Sequence, residues 1–287
     1  MKHKKLNMNE VVKTDDIIMI SLDTLRWDVA QEEYEAGNLK NLCRYTGWEK
    51  RHSPANFTFP AHQSIFAGFF PTPAEYVPLL EREYRFLPGN MGINYKNKDN
   101  IVLFEEENMV KALENRGYHT ICIGGVIFFT KRNAVCSVLP NMFQESYWNP
   151  RFGVTNIDSA RYQIDKAISI LESIPVTEKV FMFINISAIH GPNYFYKYED
   201  KGDYNPRTNV LASSLDSVET QKCALRYVDK EIGRLFDFIE KRKKAYCIMF
   251  SDHGTCYGED GYQGHNLYHQ IVAEIPYSEF FIEKKQE

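Results

Sequence analysis

Four short apolar runs, rich in β-branched and aromatic residues, stand out along the chain. They are Ile17–Leu22, Thr120–Ile123, Val180–Ile186 and Tyr246–Phe250. Their apolar residues are consecutive rather than alternating with polar ones, which is typical of strands buried on both faces. The pattern therefore predicts a mostly parallel central sheet with both faces covered.

Apolar residues recur at helical spacing between these runs. The clearest segments are Glu106–Arg116, Ala160–Leu171 and Val218–Ile239, and Gly117 follows the first as a glycine typical of helix ends. Strands that alternate with helices indicate right-handed crossovers and an α/β fold in which helices flank a doubly wound sheet. We expect one domain over residues 1–287, because this length suits a single large domain and no internal repeat is present.

Two longer segments follow neither pattern. Tyr196–Ser214 is polar, with glycine and proline, and is predicted to be a surface loop near the site. Pro71–Asn100 is irregular and rich in aromatic residues. A substrate lid and a packed loop are equally good interpretations of that segment.

Composition and charge narrow the class of protein. The net charge is −4 and no long basic stripe is present, so nucleic acid is not an expected partner. No apolar stretch is long enough to span a bilayer, and none follows Met1–Lys5 to make a signal peptide. The six cysteines are scattered without a CxxC pair, as in a reduced protein. These features predict a cytoplasmic location.

Polar side chains follow three of the four predicted strands. Asp23 follows the first, His190 the third, and Asp252 and His253 the fourth. Sites in doubly wound sheets form at the carboxyl ends of the strands, and zinc or manganese accepts mixed carboxylate and imidazole ligands. Helix capping is the alternative for Asp23 and for Asp252. It is the combination, rather than any one residue, that predicts a metal site.

Thr58 is the candidate nucleophile. It lies two residues before Pro60, at the start of a predicted helix. A hydroxyl at a helix N-terminus lies where the dipole and the free N–H groups favour an incoming anion. The alternative is an ordinary threonine N-cap.

Six segments between about residues 16 and 277 carry further motifs. They are IIMISLDTLRWD, TFPAHQSIFAGFFP, LENRGYHTICIGG, INISAIHGPNY, CALRYVDKEIGRLFDFIE and IMFSDHGTCYGEDGYQGHNLYH. In this order they resemble the alkaline phosphatase superfamily, in its sulfatase-like and nucleotide pyrophosphatase/phosphodiesterase-like branch. The resemblance implies a divalent metal, zinc before manganese or calcium, bound by Asp23, Thr58, Asp252 and His253. It also implies that Thr58 attacks phosphorus and forms a covalent phosphothreonine.

Three histidines and an arginine are further candidates for the site. His190 and His265 are candidates for a second metal ion or for protonation of the leaving group, and His269 is a weaker rival to His265. For His190, a metal-ligand role and a contact to the substrate phosphate are equally good interpretations. The two-metal phosphodiesterases have an aspartate before the middle histidine, and no carboxylate precedes His190 here. This difference favours one ion over two. Arg26 is a candidate contact to the substrate oxygens.

Differences between the motifs of this chain and those of the families it resembles indicate which substrates are expected first. Sulfatases have Cys or Ser where this chain has Thr58, Arg where it has His62, and a lysine that Gly124–Ile127 lacks. Phosphate or phosphonate esters are therefore expected ahead of sulfate esters. The oxyanion-binding Asn of the phosphodiesterases is Ala61 here, and Asn56 or Arg26 could take over its role. A structural role is an equally good interpretation of either residue.

The expected function is therefore a metal-dependent hydrolase or transferase of phosphate or phosphonate esters. The alternatives are a catalytically silent metal-binding partner in a biosynthetic complex, a sulfatase-like hydrolase of sulfate esters, and a phosphosugar mutase. Many relatives carry a further C-terminal subdomain, so a shortened C-terminal part is expected here. It suggests an open site, a site completed by a homodimer or partner protein, or an anionic ester that is carrier-bound or peptide-bound.

Overall fold

A computed structural model of the protein describes residues 6–68, 108–197 and 215–285. Its strands are β1 (Asp16–Leu22), β2 (Glu49–His52), β3 (Tyr118–Ile123), β4 (Glu145–Tyr147), β5 (Lys179–Ile186), β6 (Ala245–Phe250), β7 (Cys256–Tyr257), β8 (Gln263–Gly264) and β9 (Glu274–Ile282). Its α-helices are α1 (Met8–Thr14), α2 (Trp27–Glu35), α3 (Thr58–Ala67), α4 (Met109–Glu114), α5 (Ala134–Val138), α6 (Ser159–Ser173), α7 (Val218–Arg242) and α8 (Gln270–Ala273). Pro71–Asn100, and Tyr196–Ser214 apart from its first two residues, lie outside the described residues.

Seven of the described strands form one sheet in the order β2-β9-β6-β1-β5-β3-β4. The four predicted strands are the parallel neighbours β6, β1, β5 and β3, so the α/β fold class is confirmed. The sheet also has an antiparallel edge that the apolar runs did not predict, because β9 pairs antiparallel with β6 and β2 with β9. Strand β2 consists of exposed, charged or polar residues, which carry no strand signal but discourage pairing with another chain.

Helices cover both faces of the sheet, as the buried strands require. Successive residues of β1 point to opposite faces, so Ile18 and Ile20 pack with α2, α6 and α7, while Ile17 and Met19 pack with α1, α3 and α4. Helices α6 and α7 confirm the predicted helices to within a few residues. Within the described residues, no helix combines the length and apolar character needed to cross a bilayer.

Candidate metal centre

Two neighbouring parallel strands bring three predicted ligands to one edge of the sheet. Asp23 directly follows β1, and Asp252 and His253 follow β6 after one serine. Because β1 and β6 run parallel in register, their carboxyl ends meet. All three side chains are fully buried, and one ligand atom from each lies within 4.8 Å of the others.

Thr58 completes this cluster from the opposite side. It is the first residue of α3, and Phe57 rather than Thr58 occupies the N-cap position. Its Oγ1 lies 3.3 Å from His253 Nε2 and 3.5 Å from Asp23 Oδ2. The ordinary N-cap interpretation is therefore wrong, and the hydroxyl faces the cluster.

The capping interpretation of the two aspartates is also not supported. Helix α2 begins after Arg26, not after Asp23, and no helix begins at Asp252. Asp252 Oδ1 instead accepts hydrogen bonds from the backbone N–H groups of Thr24 (3.1 Å) and His253 (3.0 Å). Thr24 has a left-handed backbone with φ of 63°, an uncommon conformation for threonine and one that concentrates at functional sites.

The remaining oxygens of the two aspartates accept no hydrogen bond. Asp23 Oδ1 and Asp252 Oδ2 are buried without a hydrogen bond, which is costly unless a further group binds them. Burial raises the pKa of Asp23 to about 6, with the charge of Asp252 adding to the effect. Burial likewise raises the pKa of Asp252 to about 7. A bound cation would oppose both shifts, because its charge stabilises the ionised carboxylates.

His253 has its free nitrogen on the side of the cluster. Its Nδ1 lies 2.9 Å from the carbonyl oxygen of Gly254, which can only accept, so Nδ1 carries the hydrogen and Nε2 presents a lone pair. Burial lowers the pKa of His253 to about 4, which keeps the ring neutral near pH 7. Two carboxylate oxygens, one imidazole nitrogen and one hydroxyl form a donor set that fits a divalent cation such as zinc.

The α3 side of the site is held in place by His62. Its Nδ1 lies 2.8 Å from the carbonyl oxygen of Thr58, and its Nε2 lies 3.1 Å from Ser21 Oγ on β1. The ring therefore connects the first turn of α3 to the strand that carries Asp23. His62 is fully buried and stands where the sulfatases have arginine.

Two of the three remaining predicted histidines lie beside the cluster. The His265 ring centroid is 4.5 Å from that of His253 and 5.5 Å from that of His190. Neither His190 nor His265 belongs to the group of close ligand atoms among the described residues. His269 instead accepts from Ile271 N (3.1 Å) and lies 3.0 Å from Asp260, so its contacts are local to its own loop.

Arg26 is committed to carboxylates. Its guanidinium donates two hydrogen bonds to Asp28 and one to Glu259, and only 3% of the residue is exposed. The predicted contact of Arg26 to a substrate oxygen would have to replace one of these ion pairs.

Sequence analysis did not single out Asn185. Its Nδ2 donates to Asp23 Oδ2 at 2.9 Å, and its Oδ1 accepts from the backbone N–H groups of Gly125 (3.3 Å) and Val126 (3.1 Å). The available signal was a lone amide within the apolar run of β5. Buried polar residues in such runs need partners, and here one partner is a predicted ligand.

The chain matches one known protein family over most of its length. The model of the sulfatase family matches residues 15–277. The chain belongs to the sulfatase family. This membership confirms the predicted resemblance to the alkaline phosphatase superfamily. No curated protein sequence matches this sulfatase-family chain.

Solved structures share the fold of this sulfatase-family protein at low identity. The periplasmic domain of the phosphoethanolamine transferase EptC from Campylobacter jejuni has a TM-score of 0.58 and 14% identity, over 93% of this chain and 79% of that one. The lipoteichoic acid synthase LtaP from Listeria monocytogenes has a TM-score of 0.56 and 14% identity, over 96% of this chain and 67% of that one. The phosphonate monoester hydrolase of Agrobacterium radiobacter has a TM-score of 0.59 and 10% identity, over 92% of this chain and 68% of that one. These similarities establish a common fold, with this chain spanning about two thirds to four fifths of each.

Proposed function

We propose that the protein is a metal-dependent hydrolase or transferase of phosphate or phosphonate esters that works through a covalent intermediate on Thr58. The observation that carries the proposal is the position of the Thr58 hydroxyl, at the start of α3 and beside both His253 Nε2 and Asp23 Oδ2. The names of the structural neighbours, which include two transferases or synthases and a phosphonate hydrolase, support the same class of reaction.

The proposed metal is one zinc ion, with manganese or calcium as alternatives. Asp23, Asp252 and His253 would hold it together with Thr58, and their two unpartnered carboxylate oxygens support this assignment. When bound, a divalent cation would lower the pKa of the threonine hydroxyl and offset the negative charge of the ester oxygens. A second ion near His190 and His265 is a weaker proposal, because the close ligand group in the described residues has three members.

The protein groups then have separate tasks. Thr58 Oγ1 attacks phosphorus and forms an O–P bond, while the bond to the leaving group breaks and the hydroxyl proton goes to solvent. The N-terminus of α3 favours the anionic group at this position. Water or an acceptor hydroxyl then attacks the phosphothreonine and restores Thr58.

His190 is the better candidate to protonate the leaving group. Its Nδ1 lies 2.6 Å from the carbonyl oxygen of Gly191, so Nδ1 carries a hydrogen and Nε2 is left for the substrate. Burial, together with the charges of His253 and His190, lowers the pKa of His265 to about 3. A neutral His265 can accept a hydrogen bond but is poorly suited to donate a proton near pH 7.

Sulfate esters remain the second candidate, because the matching family is the sulfatases. Thr58 cannot be oxidised to formylglycine, which supports phosphorus over sulfur. A silent metal-binding partner protein is the non-catalytic alternative. The predicted cytoplasmic location, the absence of nucleic acid partners, a homodimer or partner protein, and a carrier-bound or peptide-bound substrate all stay predictions.

A turnover panel tests the proposal. Purified protein with added zinc or manganese would be given chromogenic phosphate monoesters, phosphate diesters, phosphonate esters and sulfate esters. We expect turnover of a phosphorus ester that falls at least ~10³-fold in Thr58→Ala, since removing a nucleophile leaves only binding and electrostatic terms. Thr120→Ala is the matched control, a fully buried threonine on β3 that is remote from Asp23 in the sheet. Turnover of sulfate esters alone would favour the second candidate, and silence on all esters with metal bound would favour the partner protein.

A further inference from the structure

Asn185 is the one amide at the carboxyl end of β5, between Ile184 and Ile186. It is fully buried. A buried amide without partners would destabilise the fold by a few kcal/mol, so its contacts decide what it does there. Its side-chain hydrogen bonds lead to two places: the turn after β3 and Asp23.

The orientation of the amide is fixed by the backbone on one side. Oδ1 faces the N–H groups of Gly125 and Val126, at 3.3 and 3.1 Å. Because an N–H group can only donate, the atom that faces them must be the oxygen, and the NH2 group must face Asp23. Gly125 makes the approach feasible, since a Cβ at that position would lie 2.5 Å from the carbonyl oxygen of Asn185.

The amide therefore distinguishes the two oxygens of Asp23. Oδ2 accepts the Asn185 hydrogen bond at 2.9 Å and lies near the Thr58 hydroxyl. Oδ1 has no hydrogen-bond partner. Tying one oxygen to β5 fixes the rotation of the carboxylate about its own axis and leaves the other oxygen for a ligand.

The neutral character of the donor is also significant. A lysine or arginine at this position would pair with Asp23 and compete with a cation for its charge. A carboxylate would add a third negative group to Asp23 and Asp252. An amide holds the carboxylate in place and leaves its charge intact, which is what an outer-shell partner of a metal ligand must do.

We propose that Asn185 is a positioning residue that orients Asp23 for cation binding, an inference that rests on the metal centre of the proposed function. The residue acts through Asp23 rather than on the substrate. Removing it is expected to weaken cation binding by about 10–100-fold, the range typical of outer-shell partners.

Cobalt(II) alone is a suitable probe, because its visible spectrum reports the geometry of its ligands independently of turnover. We compare the Co²⁺ affinity and spectrum of the wild type, Asn185→Leu and the matched variant Gln163→Leu. Gln163 is an equally buried amide whose side chain donates to the Asn185 carbonyl oxygen (2.6 Å) and accepts from Ser187 N (3.4 Å), so its hydrogen bonds do not involve Asp23. Both variants remove a buried amide, so both should lower thermal stability, and only Asn185→Leu should change the spectrum and weaken binding.

Equal losses of Co²⁺ affinity in the two variants, or no loss in either, would overturn the proposal and leave Asn185 as a structural residue. If Asn185→Leu does not fold, Asn185→Asp replaces it, because an oxygen would still accept from Gly125 N and Val126 N. At pH 8 that variant offers Asp23 a negative charge instead of a donor, so an unchanged spectrum would equally refute the proposal. Absence of ester turnover in the wild type would defeat the proposed function while the cobalt comparison still decides the role of Asn185.

Discussion

Strand β1 has a buried aspartate at each end, and the two have opposite surroundings. At the amino end, Asp16 accepts from Arg242 Nη1 (2.9 Å), Lys243 Nζ (3.0 Å) and Val180 N (3.0 Å). At the carboxyl end, Asp23 faces a second aspartate and leaves one oxygen without a partner. No lysine or arginine among the described residues pairs with Asp23 or Asp252.

The two aspartates therefore differ in role: the charge of Asp16 is paired within the fold, and the charge of Asp23 is available to a ligand. Burial raises the pKa of Asp16, and two cations and a backbone N–H offset that rise only in part. At Asp23 burial and the charge of Asp252 act together. Two buried carboxylates without a lysine or arginine partner support the proposed cation site.

The largest effect is expected from Asp23→Asn. The variant should lose Co²⁺ or Zn²⁺ affinity by more than the ~100-fold typical of an outer-shell change, because a charged ligand is lost. Its metal-free form should be no less stable than the wild type. Burial raises the folded-state pKa of Asp23 from 3.8 to about 6, so the free energy of unfolding falls as the pH rises through this range and the full penalty is present above it. Asparagine mimics the protonated form and does not incur this penalty. Metal titration and chemical denaturation at pH 8 measure both; a large stability loss without metal would show that Asp23 is structural.

Asp16→Asn should give the reverse result. Removing one partner of a buried ion pair typically costs about 3–5 kcal/mol, and here Arg242 would remain buried with its charge unmatched. The metal affinity of the folded variant should equal that of the wild type, since Asp16 lies at the other end of the strand. Denaturant unfolding measures the loss of stability, and metal titration measures the metal affinity. If this variant lost metal binding while still folded, the two ends of β1 would not be independent.

The features that could be predicted from the sequence are those with both a hydrophobic pattern and a chemically distinctive side chain. The buried strands and their polar ends were predicted, because consecutive apolar residues indicate strands, and parallel strands bring their carboxyl ends together. Strand β2 was missed because exposed charged residues have no strand pattern, and its pairing depends on β9. Asn185 was missed because only the register of β5 against β1 shows that it faces Asp23. The contact of Arg26 to substrate stays a prediction that its residue type suggests, and the sequence does not show that Glu259 comes within reach.

Cation binding at the carboxyl end of β1 should depend on pH. Asp23 and Asp252 hold protons below about pH 6 and pH 7, and both must ionise when a cation binds. Affinity should therefore rise with pH between 5 and 7, by up to about tenfold per unit for each proton released, and level off above that range. His253, with a pKa of about 4, is already neutral and contributes no proton there. Metal titrations from pH 5 to 8 would show this curve, and a flat affinity would mean that the two carboxylates are ionised without the metal.

Arg26 provides the smallest and most local test, because it asks whether the carboxyl edge also contains a purely structural charge. Its pair with Glu259 ties the loop after β1 to the loop that carries His265, and Glu259 is partly exposed. Glu259→Gln should therefore lower the free energy of unfolding by only about 1 kcal/mol, as partly exposed pairs do. Asp28 would still hold the guanidinium through two hydrogen bonds, so KM for the preferred ester should change less than a few-fold. Asp28→Asn is the companion variant, because it removes the charge of the other carboxylate that binds the Arg26 guanidinium. A marked fall in KM in either variant would show instead that Arg26 reaches the ester once a carboxylate releases it, and that its ion pairs compete with substrate rather than only holding the loops.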